Sequence, residues 1–153
     1  MLSLNMAACT SGPNQDLMLF NNLKFKMHEE EQAVEIDNDT REQFAAYFDD
    51  LSAQIPLYRC ITGRNYTVFI GIPLNAAISE LARQNLADIF NPTVFAGDSV
   101  TFLYKKYRGE NEVVSIYSKN FDRNRIFILA STNSAELSDS LFNIKALSDR
   151  IVR

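Results

Sequence analysis

His28 is the one histidine of this 153-residue chain, and Cys9 and Cys60 are its two cysteines, so side chains able to act as nucleophile, base or soft metal ligand are few. A nucleophilic serine or cysteine needs a base placed against it, and here that base would have to be His28. No spacing supports such a pair, because a Gly-x-Ser-x-Gly elbow and a Ser-x-x-Lys pair are both missing. A zinc site at His28 would have to recruit Glu29, Glu30, Glu31 and the distant cysteines; the run reads more simply as a solvated polar turn. Asp37-Asn38-Asp39 opens like a calcium loop, yet Glu42 and Phe48 stand where a glycine and an acid are required. The five glycines are isolated, so no loop is built to cradle phosphate. Asp49-Asp50 and Glu110/Glu112 remain as acid–base candidates, weakened because adjacent acids on a helix point apart. The expectation is no catalytic residue, no metal and no cofactor.

Cys60 lies in the apolar run Leu57-Tyr58-Arg59-Cys60-Ile61-Thr62 and is expected to behave as a small buried hydrophobe. A small enzyme using carboxylates or Cys60 is the competing reading. Cys9 has a different context: Met6-Ala7-Ala8 precedes it, and Thr10 to Asp16 follow as a polar, turn-forming tether. Small residues before a cysteine resemble the cleavage and lipidation site of a bacterial lipoprotein. The signal is truncated, because a full one has a charged start and an apolar run of about 7–15 residues. The resemblance implies Cys9 as the lipidation site and residues 1–16 as tether or signal remnant. It also implies a periplasmic or membrane-anchored extracytoplasmic location, with the cytoplasm as the alternative. Membrane contact would run through that lipid anchor alone, since no stretch approaches the roughly 20 apolar residues of a spanning helix.

Residues 17–153 fit one domain, and 46% hydrophobic with 22% charged residues excludes wholesale disorder. A net charge of −4 argues against general nucleic-acid binding. Its distribution is uneven. Nine acids and one base lie between Glu29 and Asp50, whereas six bases and three acids lie between Lys105 and Arg125. The distribution reads as two solvated faces or, more sharply, as a charge dipole for docking on a protein partner or for self-association, since such fields steer encounter. The candidate contact residues are Lys105, Lys106, Tyr107, Arg108, Phe121, Arg123 and Arg125.

These residues need a scaffold, and periodicity supplies one. Leu17–Met27 and Glu31–Asp37 read as two early strands. Thr40 and Gln43 form a capping box for a helix over 41–55, whose Phe44, Phe48, Leu51 and Ile55 share one face before Pro56 ends it. Leu57–Thr62 and Tyr66–Ile72 flank Gly63-Arg64-Asn65 as a hairpin. A second helix over 76–90 starts at Asn75 and stops at Asn91-Pro92. Ser99–Arg108, Glu112–Ser118 and Arg125–Ser131 form an antiparallel meander with apolar residues on both faces, so it must be covered on both. A last helix over 134–152 supplies cover through Leu137, Leu141, Ile144, Leu147 and Ile151. The expected class is α+β: an antiparallel sheet of about 5–7 strands with three helices, ordered (β)(β)-α-ββ-α-βββ-α.

From Tyr66 onward the chain runs hairpin strand, helix with Ile78-Ser79-Glu80-Leu81-Ala82, meander, then Arg125-Ile-Phe-Ile-Leu-Ala-Ser-Thr132 and a terminal helix. This pattern over about 57–152 resembles the PsbP-like fold. The resemblance implies a small non-enzymatic, often extracytoplasmic protein, without binding residues to carry over. The functional expectation is therefore a non-enzymatic binding or accessory protein, an exported lipoprotein in its sharpest form. A small intracellular chaperone or adaptor is the alternative.

Overall fold

The computed structural model describes residues 16–48, 53–89, 92–95, 102–108, 112–121 and 124–153. Strands β1 (Asp16–Met18), β2 (Lys24–Lys26) and β3 (Gln32–Val34) are followed by helix α1 (Asn38–Ala45) and the hairpin β4 (Leu57–Gly63) and β5 (Tyr66–Gly71). Helix α2 (Ala76–Ile89) leads to β6 (Pro92–Phe95), β7 (Phe102–Arg108), β8 (Glu112–Phe121) and β9 (Asn124–Thr132). Helices α3 (Ala135–Leu141) and α4 (Ile144–Asp149) and strand β10 (Ile151–Val152) close the chain. The fold is α+β. Seven strands form one antiparallel sheet in the order β3-β4-β5-β9-β8-β7-β6, and β1-β2-β10 form a second, small one.

Two apolar layers show why both faces of the large sheet had to be covered. On one face Phe69, Val114, Ile116, Phe127 and Leu129 pack under α1 and α2, with Phe44, Phe48, Ile55 and Ala82. On the other, Val68, Ile70, Tyr117, Ile126 and Ile128 meet the small sheet and the C-terminal helices through Leu23, Phe25, Phe142 and Leu147. Period-two alternation along β5, β8 and β9 feeds both layers at once. Each fully buried large apolar side chain contributes about 1.5–3 kcal/mol. Gly71 belongs to this packing: a Cβ there would run into the Phe44 ring and lie 3.3 Å from Ile55 Cγ2.

Several boundaries differ from the sequence expectation, each for a local reason. The first helix spans 38–45, capped by Asp37, whose carboxylate accepts the Thr40 N–H (2.8 Å) and hydroxyl (2.7 Å). The carboxylate thus takes the cap that Thr40 was expected to provide. Shorter-range bonds, Tyr47 N–H to Phe44 O and Phe48 N–H to Ala45 O, then tighten the chain into a turn. Phe44, Phe48 and Ile55 are buried as expected, and Leu51 lies outside the described residues. Leu17–Met27 is a hairpin rather than one strand, because Asn21 (φ 49°) and Asn22 (φ 65°) take left-handed conformations that asparagine tolerates. Gly63 belongs to β4 and pairs with Tyr66, leaving Arg64-Asn65 as the turn. Pro92 is the first residue of β6, the edge strand of the sheet, a position where a strand tolerates proline.

The terminal helix is two helices. Asn143 accepts the Ala146 N–H at 2.8 Å to cap α4, while its Nδ2 donates to Asp139 O at the end of α3. One side chain therefore stops one helix and starts the next, and Ile151 joins β2 instead of extending the helix.

Candidate functional site

A polar constellation centred on Glu31 and Arg150 sits where the two sheets meet. Glu31 lies just before β3, and Arg150 lies between α4 and β10. Arg150 Nη2 donates to Glu31 Oε1 as a buried ion pair, with the two residues 4% and 5% exposed. Arg150 Nε donates to Lys26 O at 2.9 Å, and the guanidinium lies 4.4 Å from the Phe25 ring centroid. The Lys26 N–H donates to Arg150 O at 2.7 Å, so the same residues are joined through the backbone as well.

Glu31 is the hub. Besides Arg150, it accepts the His28 N–H at 2.8 Å on Oε1 and the Tyr66 hydroxyl at 2.6 Å on Oε2. Tyr66 is held at its other end too: its ring covers Gly63, where a Cβ would collide with it, and packs edge-on against Phe142 at 5.2 Å. Burial, and then donation to the Glu31 carboxylate, push the Tyr66 hydroxyl far above the usual tyrosine range. His28 is pushed below the usual histidine value, by burial first and the Arg150 charge second, against opposing pulls from Glu31 and Glu30. Arg150 Nη1 is buried with no acceptor among the described residues.

A cleft of about 330 Å³ opens beside this cluster. Tyr66 contributes to its wall, Leu137 and Leu141 of α3 give it an aliphatic side, and His28, Glu29, Glu30, Arg64 and Asn65 complete it. A second cleft, of about 340 Å³, lies by α1 and is lined in part by Tyr47, Thr67, Glu112 and Ser131. There Glu112 Oε2 accepts the Tyr47 hydroxyl at 3.1 Å and the Ser131 hydroxyl at 2.6 Å. Its carboxylate is thereby tied into the sheet. Glu110, Asp49 and Asp50 lie outside the described residues.

Among the described side chains, those singled out from sequence do not converge. Cys60 is buried in the layer under α1, and burial, with the Asp37 charge second, pushes its thiol up to about 11. Arg125 is a correction: it is 6% exposed and its Nη1 donates to Ser118 Oγ at 2.8 Å, so it is not part of an exposed contact face. The physical reason is register, since Arg125 shares the inward face of Phe127 and Leu129. In β7, Lys106 and Arg108 pair with Val114 and Glu112, and Lys105 and Tyr107 with Ser115 and Val113. Phe121 is half-buried at the end of β8, with the Lys119 ammonium 5.4 Å from its ring centroid. Arg123 and Cys9 lie outside the described residues.

Sequence reasoning missed Glu31, Tyr66 and Arg150. Arg150-Ile151 follows an apolar-periodic helix, and an arginine placed there to end it gives no sign of burial. Among the described residues no group of three His, Cys, Asp or Glu side chains is placed to hold a metal ion, and no helix is long and apolar enough to cross a membrane. Compared with protein-family models, curated proteins and solved structures, the chain matches none.

Proposed function

We propose that this protein is a non-enzymatic binding or accessory protein, exported and held at a membrane by a lipid on Cys9. One observation carries the first part: the Glu31 carboxylate and the Tyr66 hydroxyl are bonded to each other and to structural partners, and the Cys60 thiol is buried. Glu31 accepts from Arg150, Tyr66 and the His28 backbone, so its carboxylate is committed as a structural acceptor. The Cys60 thiol is buried and held protonated at neutral pH. A reactive site needs the opposite, a base or thiolate exposed to substrate.

Support for export and anchoring is Met6-Ala7-Ala8-Cys9 with its polar tether. The likeness to PsbP-like proteins belongs to the same proposal, supported by the order hairpin, helix, meander and C-terminal helices. For protein contact, the proposal keeps Lys105, Lys106, Tyr107, Arg108, Phe121 and Arg123 and leaves out the buried Arg125. Mass spectrometry of the protein from its native source tests the anchor: a chain starting at a lipid-modified Cys9 supports it, and an unmodified Cys9 removes it. For the contact face, Lys105→Glu/Lys106→Glu/Arg108→Glu is expected to fold normally and lose the partner that the unmodified protein captures. Equal capture by both would remove that face.

A further inference from the structure

We infer that the cleft at Tyr66 is a binding site for one small apolar α-amino acid in its zwitterionic form, an inference that rests on the binding-protein reading above. Its volume of about 330 Å³ is at the small end of ligand pockets and suits a single compact molecule. Leu137 and Leu141 are one helical turn apart on α3, both half-buried, and with the Tyr66 ring they offer an apolar surface for an aliphatic or aromatic side chain.

Charges of both signs border that surface and come from different elements. Glu29 and Glu30 lie in the turn before β3, and Arg64 is at the tip of the β4–β5 hairpin. None of the three makes an ion pair among the described residues. A simple anion would be attracted by Arg64 and repelled by the two glutamates, and a simple cation would meet the reverse. A neutral apolar ligand would desolvate all three charges without compensation. A zwitterion answers both: its carboxylate meets Arg64, its ammonium meets Glu29 and Glu30, and its side chain covers Leu137, Leu141 and Tyr66.

The apolar wall of the site is built to stay in place. Tyr66 is fixed by its bond to Glu31 and its contacts with Gly63 and Phe142, and Arg64-Asn65 occupy a two-residue turn. The exposed side chains of Glu29, Glu30 and Arg64 are ordered at the moment of binding. The cleft by α1 lacks this combination, because its carboxylate, Glu112, already accepts two hydroxyls.

Titration of the full chain by calorimetry, with amide shifts followed by NMR, tests the inference using L-leucine, L-phenylalanine, N-acetyl-leucine and leucine amide. Saturable binding of the free amino acids is expected, with shifts at Arg64, Tyr66 and Leu137. Blocking either end should weaken binding by about tenfold or more, one lost charged contact each. Arg64→Gln should weaken leucine by a similar factor without weakening leucine amide, whose single ammonium charge Arg64 repels. Absence of saturation by either amino acid, or equal affinity for the blocked forms, would overturn the inference. If Lys105→Glu/Lys106→Glu/Arg108→Glu loses its protein partner but still binds leucine, the inference stands independently of that contact face. A chain that ignores leucine yet captures its protein partner sinks the inference and leaves the binding-protein reading in place.

Discussion

Glu31 and Arg150 are 119 positions apart in the chain and meet as a buried ion pair at the junction of the two sheets. The pair joins the segment entering the large sheet to the segment entering the small one. Taking two charges out of water costs several kcal/mol per ion, so such a pair persists only when its other bonds are made. Here the His28 N–H, the Tyr66 hydroxyl and the Lys26 carbonyl make all but one of them, Arg150 Nη1 being buried without an acceptor among the described residues. The cluster therefore acts as a clasp, and the cleft beside it inherits a fixed wall.

Tyr66→Phe keeps the ring over Gly63 and against Phe142 but removes the hydroxyl that Glu31 accepts. A hydrogen bond to a charged group contributes roughly 1.5–3 kcal/mol, so a loss of that order is expected in urea denaturation. A change below about 0.5 kcal/mol would mean that Glu31 finds another donor.

Acid should weaken the fold through the His28 ring, which is exposed beside the clasp while only its backbone N–H belongs to it. Its pKa is lowered in the folded protein, so folding favours the neutral ring. Stability from this source is complete above the ordinary value of about 6.5 and is lost as pH falls through the lower folded value. Glu30, Glu31 and Arg150 act on the ring, and Arg64, Glu29 and Tyr66 border the same cleft. Melting temperature followed between about pH 8 and 5 should fall, and His28→Gln should flatten that part of the curve. An identical slope in both proteins would contradict the assignment.

Cys60 should be inert in the native state. With the thiol at about 11 and the residue buried, alkylation near pH 8 is expected to be slow until denaturant is added. A raised folded value means that its contribution to stability is intact below about 8.5 and is lost as pH climbs through 11. Rapid native labelling would show an accessible thiolate and revive the enzyme reading.

Asn143→Ala removes the cap of α4 and the bond to Asp139 O together. Loss of an N-cap costs about 1 kcal/mol, and thermal or urea unfolding should show at least that. Unchanged stability would mean that the helix break is set by the packing of Phe142 and Leu147 alone.

Much of this architecture was legible because it is written in local periods. Val114, Ile116, Phe127 and Leu129 alternate with Val113, Tyr117, Ile128 and Ala130, and that alternation shows a sheet covered on both faces. The same alternation places Arg125 with Phe127 and Leu129, so its burial was readable once charge was not taken as exposure. The helix break was not readable, because Asn143 between Leu141 and Ile144 looks like a polar position in a continuing helix. Its effect depends on a side chain bonding in both directions. The Glu31–Arg150–Tyr66 cluster was hidden for another reason: each member is unremarkable among its neighbours in sequence, and only the antiparallel return of the chain brings them together.

A double-mutant cycle on Glu31→Gln and Arg150→Met, read by urea denaturation, tests the clasp most directly. Each single change leaves a buried partner uncompensated and should cost about 3–5 kcal/mol, whereas the double variant should cost clearly less than their sum. Single changes within about 0.5 kcal/mol of the unmodified protein, or strictly additive losses, would show that the two side chains do not hold the sheets together.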